Sequence, residues 1–143
     1  MTKLPELRGR ALDGQAMNLP ADLPPMAVVL IVGLSHEARM DVGHWKRALD
    51  AAGVPWISLA VSPEEMPAEA MKPIAEAMRA RLAESLWSHS VQIHSGGPKL
   101  LEAFGWEADP MAKVLLVESD GTVLFSHAGP FSEAAEEALQ EQL

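Results

Sequence analysis

The sequence predicts an α/β fold: a central mixed sheet flanked by helices, with a parallel βαβ half followed by a β-hairpin and a last helix. Three observations carry that prediction. An apolar run, Met26 to Leu34, leads into a helical pattern and then a second apolar stretch, PWISLAVS, the order of a parallel βαβ unit. Two β-rich arms in VLLVESDGTVLF flank Ser119-Asp120-Gly121, which predicts an antiparallel hairpin. After Ser132 an amphipathic segment, SEAAEEALQEQL, predicts the closing helix.

Each element has a local cause. Residues 1–25 are rich in Pro and Gly, and Leu12-Asp13-Gly14-Gln15 suits the turn of a short ribbon before an extended approach to the core. Met26 to Leu34 has no polar interruption, as in a strand buried on both faces. Ser35 is placed to cap the next helix, with Glu37 near its positive end. Val42, Trp45, Leu49 and Ala52 recur at helical spacing, and Gly53 supplies a stop. In PWISLAVS, Ile57, Leu59 and Val61 share one face, and Trp56, Ser58 and Ala60 the other. Ser62-Pro63-Glu64-Glu65 has the form of a capping box. A second helix is expected from Pro73 to about Leu86, with Ile74, Met78, Leu82 and Ser85 toward the sheet. Ser88 to Ile93 reads as a short extended segment. Ser95-Gly96-Gly97-Pro98 opens a short helix ended by Gly105. With no repeat, low-complexity stretch or linker, residues 1–143 are expected to form one domain.

Composition removes whole classes of function. The net charge is -9, which repels phosphates, so no nucleic-acid partner is expected. The longest apolar run falls short of the roughly 20 residues of a membrane-spanning helix, so no span is expected. The N-terminus lacks an apolar signal core, which makes cytoplasm the expected location. The chain has no cysteine, hence no disulfide, thiolate nucleophile or Cys-ligated metal.

The element order, together with Asp120-Gly121 and Gly129, resembles the thioredoxin-like superfamily. The N-terminal hairpin and VLLVESDGTVLFSHAG resemble its peroxiredoxin and TlpA-like arm. A weaker similarity links MAVVLIVGLSHEARMDVGHW, VLLVESDG and HAGPFSEAAEEAL to the thioredoxin-like ATP synthase assembly factor family and to bacterial relatives of uncharacterised role. The resemblance implies where redox chemistry would sit. Aligned on the central strand, Ala38 and Asp41 occupy the places of the two redox cysteines, and neither forms a disulfide. Aligned on VLLVESDG, Ala112 falls both where a peroxiredoxin carries its thiolate-holding Arg and where a thioredoxin carries its cis-Pro. Pro110, two residues away, takes that last role only if the loop is shifted. In active relatives this helix start stabilises a thiolate; here the resemblance implies a vacated site.

Other candidates stand beside it. Ser35-His36-Glu37 aligns a hydroxyl, an imidazole and a carboxylate, but consecutive side chains at a turn diverge, which favours capping over a triad. His36 and His44 share a helix side at a spacing too long for two ligands of one ion. His89, His94 and His127 fit no helical metal spacing, so no metal or other cofactor is assigned. The Ser95–Pro98 loop offers amides to an anion without matching a nucleotide fingerprint. Trp87 and Trp106 sit at helix ends, placed to flank a groove, and Met66, Met71 and Met111 lie in irregular stretches suited to an adaptable surface. The expectation is a non-redox protein-binding or assembly-type protein, with a protein partner or a second copy on an exposed apolar face. The alternative is a diverged peroxiredoxin-related enzyme rebuilt around His36, Asp41 and His44. Ser35, His36, His44 and Pro110 are the candidate surface site.

Overall fold

The computed structural model describes residues 2–143. Seven strands form one sheet in the order β2-β1-β5-β4-β3-β6-β7. The N-terminal ribbon is β1 (Leu7–Ala11) and β2 (Ala16–Leu19), joined through the predicted turn. The apolar run gives the central strand β3 (Val28–Gly33), whose first five residues are all buried. A 3-10 turn, His36–Ala38, leads into α1 (Arg39–Ala52), which stops at Gly53 with φ 69°. Next come β4 (Trp56–Val61), α2 (Lys72–Arg81), β5 (Ser90–Ser95) and α3 (Gly97–Phe104). The hairpin strands are β6 (Lys113–Val117) and β7 (Val123–Ala128), and α4 (Glu133–Gln140) closes the chain. The pairs β3–β4 and β4–β5 are parallel, while β3–β6 and β6–β7 are antiparallel.

Strand alternation sorts the core into two layers. On one face Leu30, Val32, Ile57, Leu59, Leu115 and Val117 pack with Leu100 of α3. On the other, Val29, Ile31, Trp56, Val114 and Leu116 pack with Trp45 and Leu49 of α1 and Leu139 of α4. Val29 and Ile31 of β3, Ile57 and Leu59 of β4, and Leu115 and Val117 of β6 thus lie in adjacent strands.

Four local expectations are corrected. Ser35 makes no side-chain cap; its hydroxyl donates instead to the Asp109 carbonyl at 2.8 Å. The Ser62 capping box does not form, because Pro67 defers helix until a 3-10 turn at Ala68–Met71, and the Ser62 hydroxyl pairs with the Glu64 backbone. On α2 the buried residue is Ala75, with Met71 just ahead of it, while Ile74 is 45% exposed; a 3-10 segment, Glu84–His89, replaces the expected last turns. Ala52 is exposed at the end of α1. Ser132 does cap α4, accepting from the Ala135 amide at 3.1 Å.

Candidate functional site

The junction after β3 is latched shut. Ala38, at the end of the 3-10 turn, is fully buried. One helical turn on, Asp41 is buried too, and both of its carboxylate oxygens accept backbone amides. Oδ2 takes the Ala112 amide and Oδ1 the Phe131 amide, each at 2.8 Å. A carboxylate in the first turn of α1 also lies at the favourable end of the helix dipole. A second tie runs beside it. Asp109 receives the Ser35 hydroxyl on its carbonyl, and both its carboxylate oxygens accept from Lys113 Nζ at 2.8 Å. The Lys113 ammonium bonded to Asp109 holds that carboxyl below its ordinary range. Thus Asp41 and Ala112, 71 positions apart in sequence, meet directly, with Ala38 one helical turn before Asp41. These positions hold a methyl group and a carboxylate bonded to two amides, with no thiol. Among the described residues the one cis peptide bond is Leu19–Pro20, so the bond before Pro110 is trans and Pro110 does not take the cis-Pro role.

The histidines do not assemble. His36 and His44 are exposed, and His44 meets only the edge of Phe131, ring centroids 6.1 Å apart. Because Asp41 is engaged with amides, the three residues of the rebuilt-enzyme alternative form no hydrogen-bonded set among the described residues. His89 and His94 pair with the carbonyls of Trp56 and Met66, and His127 lies against Trp45. No group of three or more His, Asp or Glu side chains suited to a metal occurs among the described residues. The Ser95–Pro98 loop does present an amide to an anion, but the anion is internal: Glu65 Oε1 accepts from Gly96 at 2.9 Å. That bond, helped by the Ser95 hydroxyl, pulls the Glu65 pKa down. Trp106 is buried and stacked on Phe104, so it flanks no groove; Trp87 is half-buried, with its indole donating to the Leu82 carbonyl.

What the sequence reading missed is a cleft of about 860 Å³ between α1 and α2. Its floor is the face of β4 that carries Trp56, Ser58 and Ala60, together with Gln92 of β5. The side chains Ser58 and Ala60 are too small to fill the space beneath α2, whereas Ile57, Leu59 and Val61 close the opposite face. Met40, Met66, Met71, Ile74, Met78 and Leu82 line the walls. The cleft begins at Ser35 and His36, so it opens directly from the latched junction. The signal was present in the alternation of PWISLAVS, where one face reads Trp-Ser-Ala. Of the three methionines in irregular stretches, Met66 and Met71 line this cleft and Met111 does not.

No protein-family model matches the chain, and no curated protein matches it. Solved structures do. BsSco, a member of the Sco family of cytochrome c oxidase assembly proteins, superposes with a TM-score of 0.66 at 13% identity, covering 98% of this chain and 91% of that one. The exposed lipoprotein thioredoxin of Streptococcus pneumoniae gives 0.61 at 15% identity, over 96% and 99%. A thiol peroxidase from Chromobacterium violaceum gives 0.61 at 13%, over 98% and 85%. At these identities the likeness establishes the fold alone. The chain has a thioredoxin-like α/β fold, related in architecture to redox proteins, and contains no cysteine. The similarity to the ATP synthase assembly factor gains no support from these comparisons. No described helix is long and apolar enough to cross a membrane.

Proposed function

We propose that this chain is a binding protein that uses a thioredoxin-like fold without thiol chemistry, a vacated redox site standing beside an open cleft. The observation that carries the reading is Asp41. At the place of the second redox cysteine stands a carboxylate whose two oxygens tie α1 to the starts of β6 and α4. Such a group fixes the junction as structure, each of its oxygens bonded to a backbone amide of a distant segment. The neighbouring cleft supplies what a binding role needs, a concave apolar surface with a few polar groups on its floor. Met40, 68% exposed, and Ile74 flank it and give the exposed apolar surface on which a partner would dock. The description of BsSco as an assembly protein gives one form such a role takes. The reading keeps residues 1–143 as one domain, without repeat or linker, and takes the cytoplasm as its place.

The test pairs a redox assay with a map of binding. The purified protein is expected to show no insulin-disulfide reduction and no peroxide turnover beside a cysteine-containing thioredoxin. Amide NMR shifts on adding a neutral apolar probe, 1-dodecanol, should cluster at Ala60, Gln92 and α2. Catalytic turnover in either redox assay, or shifts scattered away from the cleft, overturns the reading.

A further inference from the structure

The charges around the cleft do not match the rest of the molecule. The chain carries 20 acidic against 11 basic residues. Yet four of those 11, Arg39, Lys46, Arg47 and Arg81, line this one cleft, with Asp50 as the sole acid beside them. None is spoken for by an ion pair: the salt bridges among the described residues are Lys3–Asp120 and Lys113–Asp109. Asp50 is itself engaged, accepting the Trp56 indole at 2.8 Å, while Lys46 lies over the Trp56 ring at 5.3 Å. Burial lowers the Lys46 pKa, and Asp50 only partly offsets it. A half-buried ammonium and three guanidinium groups without carboxylate partners favour an incoming anion.

The walls say what the rest of that anion is. They are apolar, and four of them are methionines, whose unbranched side chains mould to a flexible hydrocarbon. The floor offers the Ser58 hydroxyl and the Gln92 amide, whose one side-chain partner among the described residues is the weakly accepting Met78 sulfur at 3.6 Å. That is too few polar groups to read a sugar or a base. Nor does an extended peptide add here, since β4 is paired on both sides, by β3 and β5.

We propose that the α1–α2 cleft binds a single-chain amphiphile with an anionic head, a long-chain carboxylate, its tail along the methionine-lined walls and its carboxylate among Arg39, Lys46, Arg47 and Arg81. This rests on the reading of the chain as a binding protein that acts through this cleft, and it fixes the occupant. The cleft volume lies within the ~300–1,000 Å³ usual for small-ligand sites.

The experiment titrates isotope-labelled protein with dodecanoate, 1-dodecanol and dodecyltrimethylammonium, each below micelle formation, following amide shifts. Dodecanoate is expected to bind tightest, to shift Ala60, Gln92 and the Trp56 indole, and to weaken as salt rises. The exposed double variant Arg39→Gln/Arg81→Gln should keep the folded spectrum and lose roughly tenfold in dodecanoate affinity, with dodecanol unaffected. Ala60→Leu, which fills the floor, should weaken both. Equal binding of dodecanol and dodecanoate at the cleft overturns the carboxylate assignment and leaves the binding reading standing. So does tight binding of an acidic amphipathic helical peptide at the cleft with none of dodecanoate. If no probe shifts the cleft residues, both fail.

Discussion

At the scale of single residues, Asp41 carries more of the structure than its place in the sequence suggests. It sits in the first turn of a helix, where an acid is ordinarily a solvated partner of the dipole. Here it is buried and reaches amides 71 and 90 positions away. Asp41→Ala leaves the buried Ala112 amide without its acceptor and removes two charge-assisted bonds, a loss expected near 2–5 kcal/mol in urea unfolding. Asp41→Asn keeps one acceptor oxygen and should cost less. Equal stability of the Ala variant and the parent would show that the latch does not hold the fold. Asp109 makes a pH-dependent contribution. Lys113 lowers its carboxyl below the unfolded value, so its stabilisation is present above that value, ~3.9, and fades as pH falls through the folded one. Asp109→Asn should therefore lower the melting temperature at pH 7 by more than at pH 3. Asp109 is partly exposed, so the difference is small, and a gap that widens toward acid would contradict the sign.

At the scale of elements, the sequence showed where a local pattern decides the outcome and hid what depends on distant partners. The central strand was legible because the uninterrupted apolar run Met26 to Leu34 leaves it no solvent face. Ile31 is fully buried between β4 and β6, and Ile31→Ala is expected to cost about 2–5 kcal/mol in equilibrium unfolding. The Ser132 cap was legible because it acts three residues away. Ser35 misled because its hydroxyl meets Asp109, 74 positions on, instead of its own helix. The Ser62 box misled because Glu65 turns to Gly96. The glycines there are explained by crowding: a Cβ on Gly97 would lie 1.9 Å from the Ser62 carbonyl oxygen. Gly97→Ala should lower the melting temperature, since the obstacle is backbone and cannot step aside. By contrast Ala60→Leu puts its added atoms into the empty cleft, and its stability should match or exceed the parent. The cleft itself escaped the sequence reading for a related reason. Its floor is visible in one strand, but the stand-off of α2 depends on where Pro67 lets helix begin.

At the scale of the whole molecule, the fold keeps the frame of a redox protein while the environment at its helix start runs against thiol chemistry. The resemblance implies that, with cysteines at both Ala38 and Asp41, the Ala38 thiol would feel the positive end of α1 and titrate below the free value of ~8.5, modestly so because Glu37 opposes it. Two features of the structure oppose that. The site is fully buried, which penalises a thiolate, and the Asp41 carboxylate lies one turn away. Those effects act on the same group as the dipole and with the opposite sign. Ala38→Cys is therefore expected to give a thiol with a pKa at or above the free value of ~8.5, alkylated more slowly than a cysteine on the exposed face of α4. Replacing Asp41 by Cys as well removes the carboxylate but also the latch, so the double variant should gain thiol reactivity only as it loses stability. Alkylation rates against pH, read beside urea unfolding of both variants, separate the two effects. A fast, low-pKa thiol in the single variant, with stability intact, would mean that the junction is still tuned for a thiolate. A slow thiol in the single variant, with reactivity appearing only when Asp41 goes, would tie the inertness of this helix start to that carboxylate.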